Sequence, residues 1–271
     1  MNAVTALSSY RTLYGPDGGP TPHITVRGLS KTFHGVVIYD NFNLDIPRGR
    51  FVSIFGPNGC GKSTLINLIS GLIPVDKGEI LFDGKTLAKT RIGYVFQNYR
   101  EALFPWMTAF ANVEYALKLR KVPAGEARER VNDLVGRLGV KIDVLRYPYE
   151  MSGGQQQLVS IMRALVVDPE VLFLDEPFSA LDYEMTLFMR DQLQRIFEET
   201  QTTMVLVSHD LEEAVYLADY VLLLSRRPAR IADFPLVAMA RPRNAFTLSN
   251  PEFVELKGRC LETFQREVRQ P

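Results

Sequence analysis

The sequence predicts an α/β fold with a mainly parallel sheet and a helical insertion, and three observations carry that expectation. The short unbroken apolar runs Phe51-Val52-Ser53-Ile54-Phe55, Val171-Leu172-Phe173-Leu174 and Met204-Val205-Leu206-Val207 read as strands buried on both faces. Stretches with apolar residues three and four apart follow them and read as helices packed on a sheet. From Leu103 to Tyr149 the strand signal disappears, which marks the insertion.

Composition narrows the chemistry. With 271 residues, 46% hydrophobic and 23% charged, the chain has the make-up of a soluble globular protein. Lys+Arg and Asp+Glu balance at 31 each, so no global basic field points to nucleic acid. No apolar run approaches the roughly 20 residues of a membrane helix, and no secretory signal is expected. Cys60 and Cys260 give no disulfide framework and suit a reducing cytosol.

Met1 to Pro22 is polar and glycine- and proline-rich near its end, and reads as a mobile leader. Strands are expected around Ile24, Val26 and Leu29, then through Val36 to Tyr39 and Phe42 to Ile46, before the Pro47-Arg48-Gly49-Arg50 turn. Phe33, placed in a loop before His34-Gly35, has a ring that can stack on a base, although a phenylalanine is more often a core residue. Next comes Gly56-Pro57-Asn58-Gly59-Cys60-Gly61-Lys62-Ser63-Thr64, between a buried strand and a helix bearing Leu65, Ile66, Leu68, Ile69 and Leu72. A phosphate chain needs closely approaching backbone N–H groups, which these glycines permit; Lys62 reaches phosphate, Ser63 suits Mg²⁺, and the helix start adds its positive end. Strand, loop and helix in that order make a nucleotide phosphate site. Cys60, beside Lys62 at a helix start, is expected to have a lowered pKa and to be alkylatable when the site is empty, although its leading reading is a structural small residue.

Further along, Arg91 to Gln97 reads as a strand ending on an amide at the edge where open α/β sheets bind ligands. Thr108 caps a helix through Val113 and Leu117, Pro123 breaks it, and Glu126 to Leu138 forms a second helix. The aromatic tip Phe104-Pro105-Trp106-Met107 is either a partner-docking site or a plug over its own helices. Ser152-Gly153-Gly154-Gln155 caps a helix and frees first-turn N–H groups for an anion, although an ordinary cap would explain Ser152 alone. Asp175 and Glu176 end a buried strand, where carboxylates cost several kcal/mol unless compensated, and Mg²⁺ is the natural compensation. Ser179-Ala180-Leu181-Asp182 turns into a helix bearing Leu187, Leu193, Ile196 and Phe197, and His209 ends a further parallel strand. Past Ser225 the pattern loosens. Arg226, Arg227, Arg230, Arg241 and Arg243 read as a solvated, mildly basic surface, and Pro251 to Val268 as a terminal helix.

Taken in this order, these motifs resemble the ATP-binding subunit of ABC transporters, from about Ile24 to Leu224. The resemblance implies a P-loop NTPase core with an antiparallel β subdomain and a helical subdomain. Residues 23–97 and 151–225 would form the nucleotide-binding core, 98–150 the helical subdomain and 226–271 a C-terminal extension. It also implies a set of roles. Phe33 stacks on adenine; Gly56 to Thr64 hold the phosphates; Ser63, Gln97 and Asp175 serve Mg²⁺. Glu176 acts as general base or orients the water, with Lys62, Gln97 and His209 in the catalytic set. Ser152, Gly153, Gly154, Gln155 and Asp182 contact ATP held by a second copy, head to tail. Phe stands where a stacking tyrosine is usual, Met151 where leucine is usual, and Leu158 where a basic residue is common. Leu103 to Thr108, Arg227 to Ile231 and Asn250 to Phe253 are similar to the nitrate, sulfonate and taurine importers. The implied partners are a membrane permease at the cytoplasmic face of the inner membrane and, indirectly, a solute-binding protein, with no nucleic acid. A soluble ABC ATPase working on nucleic acid or ribosomes is the rival, and a non-hydrolysing regulatory module would be expected to lack Glu176 or His209.

Overall fold

The computed structural model describes residues 21–139, 142–179 and 181–269. The expected leader lies outside the described residues as far as residue 20, as does Ala180 of the turn before Asp182. Contacts divide the chain into two compact units, one of residues 1–90 with 201–271 and one of residues 91–200.

The first unit opens with β1 (Pro22–Phe33) and β2 (Val36–Pro47), antiparallel around His34-Gly35, with Ile24 opposite Ile46 and Val26 opposite Leu44. Phe33 is the last residue of β1 rather than a loop residue, and it is exposed rather than core, with the Lys31 ammonium 5.1 Å from its ring centre. After the Arg48-Gly49 turn comes β3 (Phe51–Phe55), buried along its whole length, and then α1 (Lys62–Ile69). The helix stops at Ile69, because Gly71 turns left-handed at φ +75°; Leu72, expected on the helix face, is exposed beyond the end. β4 (Lys77–Phe82) then pairs with β1 and completes an antiparallel sheet in the order β2-β1-β4.

The second unit begins with β5 (Ile92–Val95), so Gln97 stands two residues past the strand rather than at its end. A short helix that the sequence did not announce, α2 (Tyr99–Ala102), follows directly. α3 (Ala109–Leu119) starts where Thr108 Oγ1 accepts from Ala111 N at 3.2 Å. The buried Asn112 side chain fastens the aromatic tip, accepting from Phe104 N (2.8 Å) and donating to the carbonyls of Phe104, Met107 and Thr108 (3.1 Å each). Pro123 occupies the cap position of α4 (Ala124–Leu138), so it begins the second helix as well as ending the first run, and Val131, Leu134 and Leu138 are buried. α5 (Gly153–Leu165) buries Leu158 with Ile161, Met162 and Leu165. β6 (Val171–Asp175) runs parallel to β5, with Val95 opposite Leu174. α6 (Tyr183–Thr200) buries Leu193, Ile196 and Phe197 but leaves Leu187 exposed, which corrects its expected place on that face.

The chain then returns to the first unit. β7 (Thr203–Val207) and β8 (Tyr220–Leu224) flank β3 on either side, both parallel to it, with α7 (Leu211–Leu217) between them in sequence. β9 (Ile231–Asp233) adds an antiparallel edge to β8, a strand in the stretch whose pattern looked loose. α8 (Pro251–Arg269) closes the unit. The expected basic surface needs correcting, because two of its five arginines are interior. Arg243 is buried and donates to the carbonyls of Val215 (3.1 Å), Tyr216 (2.9 Å) and Ala218 (2.7 Å) at the end of α7. Arg241 pairs with Asp219 at 2.9 Å, whose other oxygen accepts from Phe51 N (2.9 Å) at the start of β3. These side chains satisfy carbonyls that a short helix leaves open at its end. Among the described residues no helix is long and apolar enough to cross a membrane.

Candidate functional site

In the first unit, the loop between β3 and α1 is tied to itself. Cys60 N donates to Pro57 O (3.2 Å), Leu65 N donates to Gly61 O (2.8 Å), and the buried Tyr39 hydroxyl donates to Gly61 O (3.0 Å). Lys62 is buried, with its ammonium donating to Gly56 O (2.9 Å) and Pro57 O (3.2 Å), so its charge is held inside the curve of the loop. No side chain caps the first turn of α1, and no acid stands in it, so the N–H groups beyond Gly61 face outward at the positive end of the helix. Ser63 and Thr64 sit half-buried on that turn, while Asn58 and Gly59 form the exposed rim. A Cβ at Gly61 would meet the side chains of Ile38 at 2.7 Å and Tyr39 at 3.1 Å, so this position has room only for glycine against β2. A triphosphate fits such a set of donors.

Cys60 fits the structural reading and not the reactive one. Its thiol is buried, and burial pushes its pKa up despite the opposing pull of Lys62, so desolvation outweighs the neighbouring charge. His209 follows β7 on a turn locked at both sides. Asp210 Oδ1 caps α7 by accepting from Glu212 N (2.7 Å), and Ser208 Oγ donates to Glu213 (2.8 Å). The His209 ring remains exposed between these anchors. A cavity of about 780 Å³ is lined by Gly56 to Cys60, His209, Arg226 and Arg227, with Phe55, Phe264 and Val268 behind them.

In the second unit, β6 delivers Asp175 as its buried last residue, and Glu176 follows in the left-handed region at φ +45°. The Gln97 amide donates to Glu176 Oε2 at 2.9 Å, which brings together two candidates 79 residues apart. The Tyr94 hydroxyl donates to Asp175 at 3.4 Å; burial first, then the Asp175 charge, push its pKa well up and keep it a donor. By donor chemistry the oxygens of Gln97 and Asp175 in this unit, and separately that of Ser63 in the first, each suit a hard cation such as Mg²⁺.

Ser152 and Gln155 form a reciprocal cap at the start of α5: Ser152 Oγ accepts from Gln155 N (3.3 Å), and Gln155 Oε1 accepts from Ser152 N (3.0 Å). The two glycines have a packing reason to be there. A Cβ at Gly153 would stand 2.7 Å from the Tyr99 hydroxyl oxygen, and one at Gly154 only 2.3 Å from Met185 Cγ. Met185 belongs to the first turn of α6, which Asp182 caps by accepting from Met185 N at 2.8 Å. Gln157 Nε2 donates to Pro177 O (2.8 Å) and ties α5 to the segment after Glu176. Sequence reasoning missed Tyr39, Tyr94 and Tyr99, because each makes its contact with a residue distant in sequence; Tyr39 and Tyr94 sit in apolar strands and Tyr99 in the polar stretch from Gln97 to Glu101, and neither setting marks them.

Comparisons with known proteins identify the family. The family model described as "ABC transporter" matches residues 39–179. An ABC transporter ATP-binding protein of Methanocaldococcus jannaschii is 36% identical over 251 residues, covering 90% of this chain and 92% of that one. The sulfate/thiosulfate import ATP-binding protein CysA of Nocardia farcinica is 40% identical, over 83% of this chain and 69% of its own. The spermidine/putrescine import ATP-binding protein PotA of Marinobacter nauticus is 41% identical, over 83% of this chain and 61% of its own. Among solved structures, the dimeric post-hydrolysis cassette MJ0796 bound to ADP and Pi is similar at TM-score 0.70 and 28% identity, covering 80% of this chain and all of that one. CbiO1 of Clostridium perfringens, part of the ABC transporter complex cbiONQ, is similar at TM-score 0.73 and 25% identity, covering 92% of this chain and 99% of that one. With its motifs in order and a relative matched over nearly the full length of both chains, this chain belongs to the ABC transporter family.

Proposed function

We propose that two copies of this chain close head to tail on MgATP, and that hydrolysis reopens them to drive uptake of a small solute through a separate membrane subunit. The chain is an ATPase with ATP and Mg²⁺ as its cofactors. In this reading Gly56 to Thr64 hold the triphosphate of the chain's own nucleotide. Ser152 to Gln155, with Asp182, meet the nucleotide held by the second copy, and Phe33 stacks on the base. Ser63, Gln97 and Asp175 would hold Mg²⁺, which would supply charge neutralisation at the phosphates. Glu176 takes the proton of the attacking water or orients it, Gln97 fixes that carboxylate, and His209 steadies the phosphate side of the transition state.

The observation that carries the reading is the Gln97–Glu176 hydrogen bond of 2.9 Å directly after the buried Asp175. A carboxylate fixed by an amide at the end of a buried strand is positioned for one proton, and phosphoryl transfer asks for positioning more than covalent work. Glu176→Gln should lower turnover about 10²-fold or more, with ATP-loaded dimers accumulating in size-exclusion chromatography. Unchanged turnover removes Glu176 from this role.

The solute belongs to the same proposal. Relatives named for sulfate/thiosulfate and for spermidine/putrescine match at 40% and 41% identity, so overall identity does not choose between an anionic and a cationic solute. The Leu103 to Thr108, Arg227 to Ile231 and Asn250 to Phe253 segments favour an organic or inorganic anion of the nitrate, sulfonate or taurine kind. The permease would hold this chain at the cytoplasmic face of the membrane, with a solute-binding protein delivering the solute on the far side.

A further inference from the structure

Arg227 is a charged side chain beside the glycine loop that the hydrolysis chemistry above does not use. We propose that it is a further phosphate-binding residue, its guanidinium donating to an oxygen of the nucleotide that Gly56 to Thr64 of the same chain hold. The proposal rests on the nucleotide reading of that loop and adds a second cation to it.

Geometry supplies the first argument. An Arg227 guanidinium nitrogen lies 3.5 Å from the position a Cβ would take at Gly59, so this side chain rests on the loop rim. Gly59 sits at φ +73°, where other residues are strained, and the guanidinium lies at ordinary van der Waals distance from it. Chemistry supplies the second. Among the described residues Arg227 makes no hydrogen bond or ion pair, and it is exposed. The cavity it lines also contains Arg226 and His209, and no carboxylate is among its lining residues. Such a wall attracts an anion. A planar fork that can donate two parallel hydrogen bonds suits phosphate oxygens.

The third argument is preorganisation. Arg227 stands on a turn closed by Ser225 N to Arg230 O (3.0 Å) and by Arg230 N to Ser225 Oγ (3.0 Å). Ala229 N donates to Ile38 O (2.8 Å), and Arg230 pairs with Glu267 at 2.9 Å. With the backbone fixed on both sides, little freedom is lost when the guanidinium engages a ligand. Its charge already reaches the loop interior, where it pulls the Cys60 thiol and the Tyr39 hydroxyl downward, although burial outweighs it at both.

The test measures MgATP affinity of the full chain below the concentration at which copies pair, at two salt concentrations, with folding of each variant followed by thermal melting. Arg227→Ala should weaken binding about tenfold, as expected for a charge-assisted hydrogen bond at an exposed site. Its affinity should also depend less on salt, and Arg227→Lys should recover only part of the loss. Unchanged affinity in Arg227→Ala, with Lys62→Ala still losing ATP, overturns the proposal and leaves the loop as the nucleotide site. Unchanged affinity in both variants overturns the nucleotide reading itself. Unchanged single-copy affinity with weaker ATP-driven pairing gives the guanidinium to an acceptor on the second copy, and that too overturns the proposal.

Discussion

Cys60 shows how two correct local rules can compete at one atom. Its neighbours are Lys62 and a helix start, which favour a thiolate, but its sulfur is buried, and burial pushes the pKa up. Cys260 is buried as well, with its thiol pushed up to about 12, burial being the larger cause and Asp233 the smaller. Each unit of upward shift removes about nine-tenths of the thiolate present at a given pH. The native protein should therefore resist iodoacetamide at pH 8, reacting at least about tenfold more slowly than a free cysteine, with the rate climbing as pH is raised. Intact-mass measurement checks this, and rapid single labelling of the folded chain at pH 8 would contradict it. The phosphate loop itself was legible, because strand, glycines, lysine and helix fall within one short stretch and constrain one another. The balance at residue 60 was not, since burial by the folded chain outweighs the charges of Lys62 and of Arg227, which lies far off in sequence.

The helices of the second unit divide the aromatic tip between two tasks. Phe104 turns inward, its ring centre 4.9 Å from that of Tyr115 and 5.5 Å from that of Trp106, while Trp106 is 70% exposed. The sequence left docking and plugging as alternatives; Phe104 packs inward as a plug would, while Trp106 stays open to solvent. Beside them a groove of about 440 Å³ is lined by Tyr94, Phe96, Tyr115, Leu119 and Arg163, among others, and Phe96 and Leu119 are exposed. Exposed apolar side chains gathered at one groove would be buried by the membrane subunit in the reading proposed above. Trp106→Ala should therefore weaken assembly with the membrane subunit about tenfold or more and leave ATP hydrolysis by the isolated chain unchanged. Equal losses in both measurements would mean that Trp106 packs internally. The helices were legible from Thr108, Pro123 and their apolar spacing. The short α2 was not, because its four residues are fixed by what they touch: Tyr99 lies against Gly153, and Arg163 donates to Ala102 O at 2.7 Å.

The two units are built differently along the chain. Residues 91–200 are continuous, whereas the first unit joins residues 1–90 to residues 201–271. Arg243 is one of the side chains that makes the late piece part of the core, holding four carbonyls, those of Val215, Tyr216, Ala218 and Met239. Its burial lowers its pKa to about 10, which leaves it charged at neutral pH. Arg243→Ala leaves those carbonyls without a donor and should cost about 3 kcal/mol, lowering Tm by about 5 °C or more. Calorimetry decides this, and a shift under 1 °C, as for an ordinary surface site, would refute it. The all-buried β3 receives both of its parallel neighbours, β7 and β8, from the late piece. During synthesis an oily ribbon must therefore wait unpaired while about 150 further residues leave the ribosome, for roughly ten to thirty seconds at ordinary elongation rates. The contiguous unit can settle in that interval, although its first residue is made after those of β3. Newly made chains are then most exposed to aggregation before release, and a chaperone that shields Phe51 to Phe55 over that window would raise the yield of native protein.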